Sequence, residues 1–300
     1  MYYKILTQMN DSLISYKTDR IIKNTIKSDE KKTLRKFLDD LKIKFIKREK
    51  NLLEFDLLNA HPSLANALRR ILISEVETYA FHDISIFENK SVFPDEYIAH
   101  RLGLIPVVVH DDSVKDYVYE LNEVNDTNEN ITIYSDNIVG NTDVLSIEEG
   151  VIICKLAPGN KINLKLEVSR GNGEIHSKWS PVSLCTYRLM PRITLQREFC
   201  GEEARELQKC FPEGVISIID GKAVVDCPRK DKVSREAVRI FGEDAVELGR
   251  ESNWFCFTIE TLNEDPVSIL RKGILKLREK SQELKEEANV IKSNLLNNQN

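Results

Sequence analysis

Residues 65–80 read ANALRRILISEVETYA. A surface helix usually keeps one apolar stripe and one polar face, yet here Arg69 and Arg70 stand inside a nearly unbroken apolar run. His61-Pro62-Ser63 opens the segment, with proline suited to the first turn, so a helix is expected over 62–77. On that helix Leu64, Ala67, Leu68, Ile71, Leu72 and Val76 cover nearly half the circumference. Asn66, Arg70, Ser74 and Glu77 lie opposite, and Arg69 and Ile73 fall on the border. A face that wide predicts burial against two things, the helix's own sheet and a second chain; an ordinary core helix is the competing reading. Guanidinium groups keep their charge and make two-pronged hydrogen bonds. Arg69 and Arg70 are therefore expected to anchor another surface, with a phosphate contact as the alternative.

Working outward, KIKFIKREKNLLEFDLLN (42–59) predicts a hairpin. Ile43 and Phe45 alternate with lysines, Glu49-Lys50-Asn51 makes the turn, and Leu53, Phe55 and Leu57 alternate on the return. Before it, residues 28–41 suit a short amphipathic helix. After it, DISIFEN predicts a strand, and Pro94-Asp95-Glu96 opens a helix that ends at Gly103 with His100-Arg101 in its last turn. Residues 111–130 hold seven Asp/Glu and one lysine and are expected to form an exposed loop. Further on come a strand, glycine turn and strand (161–189), a helix at GEEARELQKCF, a hairpin around Asp220-Gly221 and the apolar strand NWFCFTIETL. Asp265 then caps a helix with Pro266 at its first position. Its apolar residues Val267, Leu270, Ile274, Leu277, Leu284, Ala288, Ile291 and Leu295 follow 3–4 spacing, interrupted at Ser281, so it needs a partner along its length.

Three hundred residues at 41% hydrophobic content can bury a sizeable core. The net charge of −5 divides into +7 for residues 1–50 and −12 for the rest, which argues against a chain that is basic throughout. The start MYYKILTQMNDSL lacks a signal-peptide pattern, and no apolar run approaches a membrane span, so a soluble intracellular chain is expected. The six cysteines include no pair closer than ten residues and no CxxC, which gives a zinc finger or ribbon no support.

No catalytic constellation emerges. The five histidines form no HExxH and no i,i+4 pair, and RGNGEIHSKW lacks the spacing of a phosphate-binding loop. His100 with Glu96 is read as a solvated or interface contact rather than an acid/base pair. No catalytic residue, cofactor or metal ligand is assigned.

The stretches LANALRRILISEVETYA and ISIFENKSVFPDEYIAHRLGLIPV resemble the alpha-type subunits of cellular RNA polymerases. So do GNGEIHSKWSPVSLCTYRLMPRITL and NWFCFTIETLNEDPVSILRKGILKLREK. Within that family the chain is most similar to the larger alpha-like subunit shared by RNA polymerases I and III, because the zinc-binding cysteines of the RNA polymerase II counterpart are missing from 111–130. The resemblance implies an α+β fold: a discontinuous dimerisation domain (38–82 and 183–300), an inserted mostly β domain (83–182) and a polar extension (1–37). It implies a non-catalytic nuclear subunit, nucleolar for polymerase I, that pairs with the smaller alpha-like subunit and then receives the second-largest and largest subunits. Neither specific nucleic-acid binding nor membrane association is implied. Leu64, Leu68, Ile71, Leu72, Leu270, Ile274, Leu277 and Leu284 are then expected at the dimer interface. Asn66, Arg69, Arg70, Glu96, His100 and Arg101 are expected to contact a large subunit. The alternatives are an RNA polymerase II alpha-like subunit that has lost its zinc site, or a free nucleic-acid-binding protein.

Overall fold

The structure is a computed structural model that describes residues 13–16, 21–23, 39–110, 118–140, 145–232, 234–262 and 264–297, with side chains within 39–292. In chain order it begins with β1 (Leu13–Tyr16), β2 (Ile21–Lys23), β3 (Lys42–Arg48), β4 (Leu52–Leu58), α1 (Pro62–Ser74) and β5 (Glu77–Asn89). Next come α2 (Asp95–Gly103), β6 (Val107–Val109), β7 (Val118–Val124), β8 (Ile131–Tyr134), β9 (Leu145–Ile147) and β10 (Ile152–Leu156). Then follow β11 (Lys161–Asn172), β12 (Val182–Leu195), α3 (Gly201–Lys209), β13 (Ile216–Ile219) and β14 (Lys222–Val225). The chain closes with α4 (Glu236–Phe241), β15 (Val246–Thr261) and α5 (Pro266–Asn297). The helix expected over 28–41 falls outside the described residues, apart from helical Asp39 and Asp40.

Two compact units divide the chain. The first comprises Met1–Lys47, Glu54–Ala65 and Thr186–Phe257. Its main sheet runs β2-β1-β15-β4-β3, with β12 also paired to β15. The expected hairpin is β3–β4, and alternation puts Phe55 and Leu57 inside it. Phe55 stacks on Phe257 with ring centroids 4.9 Å apart, and Tyr187 closes over both Phe255 and Phe257. A second cluster around Phe199, Leu207, Val215 and Val246 joins α3 to the β13–β14 hairpin. That hairpin turns at Asp220 (φ 51°) and Gly221 (φ 75°), two successive left-handed residues that suit the twist of a tight hairpin. Arg229 pairs with buried Asp56 and reaches Glu54 at 3.4 Å, while Arg188 donates to the carbonyls of Arg229 and Asp231.

The second unit comprises Arg48–Leu53, Asn66–Cys185 and Thr258–Asn300. Its three-stranded sheet runs β5-β11-β7, beside the pairs β10-β8 and β6-β9. Its core gathers Phe81, Ile98, Leu102, Leu121, Ile133 and Leu164, and every buried member lies between 81 and 166. One expectation needs correction here. Residues 118–124, taken for part of an acidic loop, form β7, because in VYELNEV the buried Tyr119 and Leu121 alternate with exposed Val118, Glu120 and Asn122. Residues 111–117 are outside the described ones. The helix expected over 62–77 ends at Ser74, and Glu77 already begins β5.

Candidate assembly interface

Helix α1 is closed at its C-terminal end by a distant stretch of chain. The last carbonyls of a helix need partners, and here the Glu174 N–H donates to the Ser74 carbonyl (2.9 Å) and the Ser180 hydroxyl to Ile73 (3.1 Å). Gly173 makes this approach possible, since a Cβ there would lie 2.3 Å from the Ile73 carbonyl oxygen. Trp179 anchors the same segment: its indole donates to Ser169 (3.1 Å), its carbonyl accepts from Thr78 (2.6 Å), and Gly171 lies beneath its ring. Lys178 donates to the Phe81 carbonyl and contacts His82 Nδ1, both at 2.9 Å. Burial lowers its pKa despite the opposing charge of Asp83. The sequence reading saw GNGEIHSKWSP as part of a glycine turn but missed this capping role, which joins residues about a hundred positions apart.

On the polar side of α1, Arg69 forks onto the Asn66 side-chain oxygen at 3.3 and 3.1 Å. Arg70 is exposed, and its side chain has no hydrogen-bond or ion-pair partner among the described residues. On α2, Glu96 and His100 are exposed, and Arg101 donates to the Ile152 carbonyl while its Nε is buried without a partner. Exposed Phe93 and Tyr97 stack at 4.6 Å, and the Arg101 guanidinium lies 6.0 Å from the Tyr97 ring. Tyr97, His100, Arg101, Leu104, Pro106 and Val151 line a shallow groove, and the His176 ring stands 6.4 Å from that of His100. Among the described residues, no hydrogen bond or ion pair joins Asn66, Arg69 or Arg70 to Glu96, His100 or Arg101.

The apolar residues expected at a dimer contact divide into two sets. Leu68, Ile71, Leu72 and Leu270 are buried by this chain itself, and Leu64 and Leu277 are half-buried. These offer a partner little fresh area. Helix α5 lies close on α1 because Gly273 leaves room for Leu72, whose Cδ2 would be 2.6 Å from a Cβ there. The Asp265 cap is present, with its carboxylate accepting from the Ser268 N–H at 3.1 Å. Burial pushes that carboxyl's pKa up, but Arg48 at 2.8 Å and the Ser268 N–H outweigh it, and the net shift is downward. Past Lys280 every described side chain of α5 is exposed. Ile274 is 42% exposed, Leu284 65% and Ile291 60%, so the apolar stripe that packs on α1 runs on uncovered.

Among the described residues no group of three or more His, Cys, Asp or Glu is placed to hold a metal ion, and no helix is long and apolar enough to cross a membrane.

A discontinuous sheet-and-helix platform with one half-uncovered helix defines a dimerising assembly domain. Residues 54–281 match the RNA polymerase Rpb3/Rpb11 dimerisation domain, and the chain belongs to that family. It is 35% identical over 296 residues to the DNA-directed RNA polymerases I and III subunit RPAC1 of Saccharomyces cerevisiae, covering 83% of this chain and 88% of that relative. To the proteins of the same name in Bos taurus and Homo sapiens it is 32% and 30% identical, covering 81% of this chain and 82% of each relative.

Proposed function

We propose that the chain is the larger alpha-like subunit of RNA polymerases I and III, a non-catalytic platform on which the enzyme assembles. The observation that carries this reading is the uncovered half of α5, whose Leu284 and Ile291 continue a stripe already packed on α1. Burying one such side chain is worth about 1.5–3 kcal/mol, so a second chain has much to gain there. The occupant is the smaller alpha-like subunit, which covers Ile274, Leu277 and Leu284 and completes the dimerisation domain of 38–82 and 183–300. The insert is 83–182, a division supported by a core cluster whose buried members, Phe81 apart, all lie between 98 and 166. Arg70, whose side chain has no partner among the described residues, the exposed Phe93, Tyr97 and His100, and half-buried Arg101 then face the second-largest subunit. The chain works in the nucleus, and in the nucleolus as part of polymerase I.

Co-expression with the smaller alpha-like subunit tests this. A stable 1:1 complex that afterwards captures the second-largest subunit is the expected result. A chain that stays monomeric beside that subunit and binds duplex DNA in a salt-dependent way would refute it.

A further inference from the structure

Helix α5 carries a second pattern beside its apolar stripe. With Leu270, Leu277, Leu284 and Ile291 taken as one seam position, the residue after each is Arg271, Arg278, Lys285 and Lys292. Seven residues advance a helix by about 10.5 Å, so these four form a row of cations along one border of the seam. All four are exposed, and none has a hydrogen-bond or ion-pair partner among the described residues. The far side of the helix is mixed: exposed Glu279, Glu283, Glu286 and Glu287 share it with Lys272, Lys276 and Lys280, which pair with Glu264, Glu279 and Glu75.

We infer that this cationic row selects the chain that docks on α5: a helix of a different protein with carboxylates along one border of its own apolar seam. Charges flanking a helix seam set partner and orientation. A second copy laid antiparallel would set the row against itself. Laid parallel, it would offer the row Gly273, Lys280 and Glu287, a single carboxylate. Neither arrangement answers four cations. A nucleic acid would answer them, but the row borders an apolar seam that a polyanion would leave in water.

The inference rests on the proposed function and adds the chemistry of the occupant. Its test measures the affinity of the full chain for the smaller alpha-like subunit at about 50 mM and about 500 mM salt. Three variants are compared with the unaltered chain: all four cations to Glu, all four to Gln, and Arg271→Lys with Arg278→Lys. Exposed pairs each change affinity by a factor of about two to five. Reversal should weaken low-salt binding by about tenfold or more, neutralisation by less, and the lysine variant should bind as before. The differences should shrink at high salt. Unchanged binding by the reversed chain would overturn the inference and leave the proposed function standing. Failure of the unaltered chain to bind would overturn the proposed function and the inference with it. Retention on a short DNA duplex that reversal abolishes, with subunit binding intact, would assign the row to nucleic acid instead.

Discussion

Lys280 donates to both carboxylate oxygens of Glu75, at 2.8 Å each. Among the described residues this is the last tie between α5 and the turn that follows α1, and the described side chains beyond it are all exposed. Isolated helices hold poorly in water without tertiary packing. In the lone chain, amides beyond residue 280 should therefore exchange at least roughly a hundredfold faster than those of 269–277, as read by hydrogen–deuterium exchange. Glu75→Gln should move the boundary back by about one turn while costing under about 1 kcal/mol, because Lys280 is half exposed. Protection that is uniform along α5 without a partner would contradict this account.

Replacing Arg69 and Arg70 with alanine should leave the pairing with the smaller alpha-like subunit intact and weaken capture of the second-largest subunit. Among the described residues the Arg70 side chain has no hydrogen-bond or ion-pair partner to lose. A charge contact buried in an interface commonly costs about 2–5 kcal/mol when truncated. Pull-downs scored separately for the two subunits decide it. Loss of the small subunit first would show the faces of α1 to be assigned wrongly. Leu68→Asp or Ile71→Asp should instead reduce soluble yield, since both positions are buried within the chain.

Gly173→Ala should lower the denaturant midpoint, by about 1–3 kcal/mol in stability, because the new methyl would overlap the Ile73 carbonyl. Unfolding monitored by tryptophan fluorescence in a Trp254→Phe background reads Trp179, whose ring belongs to the same segment. A variant as stable as the parent would show that α1 does not depend on this cap.

Burial pushes the thiols of Cys185 and Cys256 up from 9.0 to about 12, and that of Cys154 to about 11. Folding thus favours the protonated thiol. The stability these groups contribute is complete below pH 9, the unfolded value, and is lost as pH rises from there toward 11–12. Denaturation at pH about 8 and about 10.5 should show the loss, and Cys185→Ala with Cys256→Ala should diminish it. Exposed Cys200 should be the first thiol to react with a maleimide in the native chain.

Local grammar made much of this legible. The β3–β4 hairpin, the start of α1, the acidic entry of α2, the Asp220-Gly221 turn and the Asp265 cap all rest on residues adjacent in sequence. The strand Val118–Val124 was hidden because counting charges outweighed the alternation of Tyr119 and Leu121. The capping of α1 by residues 174–180 joins positions about a hundred apart, and no local pattern announces such a contact. Apolar spacing on α1 and α5 marked which residues leave water, but not what covers them. Leu72 and Leu270 are covered from within, whereas Leu284 is not.

The bare half of α5 also makes each surplus copy of the chain conspicuous. On the proposed pairing, a bound copy would have no apolar ridge on display, whereas an unbound one keeps Leu284 and Ile291 in open water. Segments of that kind open readily and are what chaperones and proteases act upon. On that pairing the supply of the smaller subunit would set the lifetime of this chain, and the two would be held to equal numbers without a dedicated sensor.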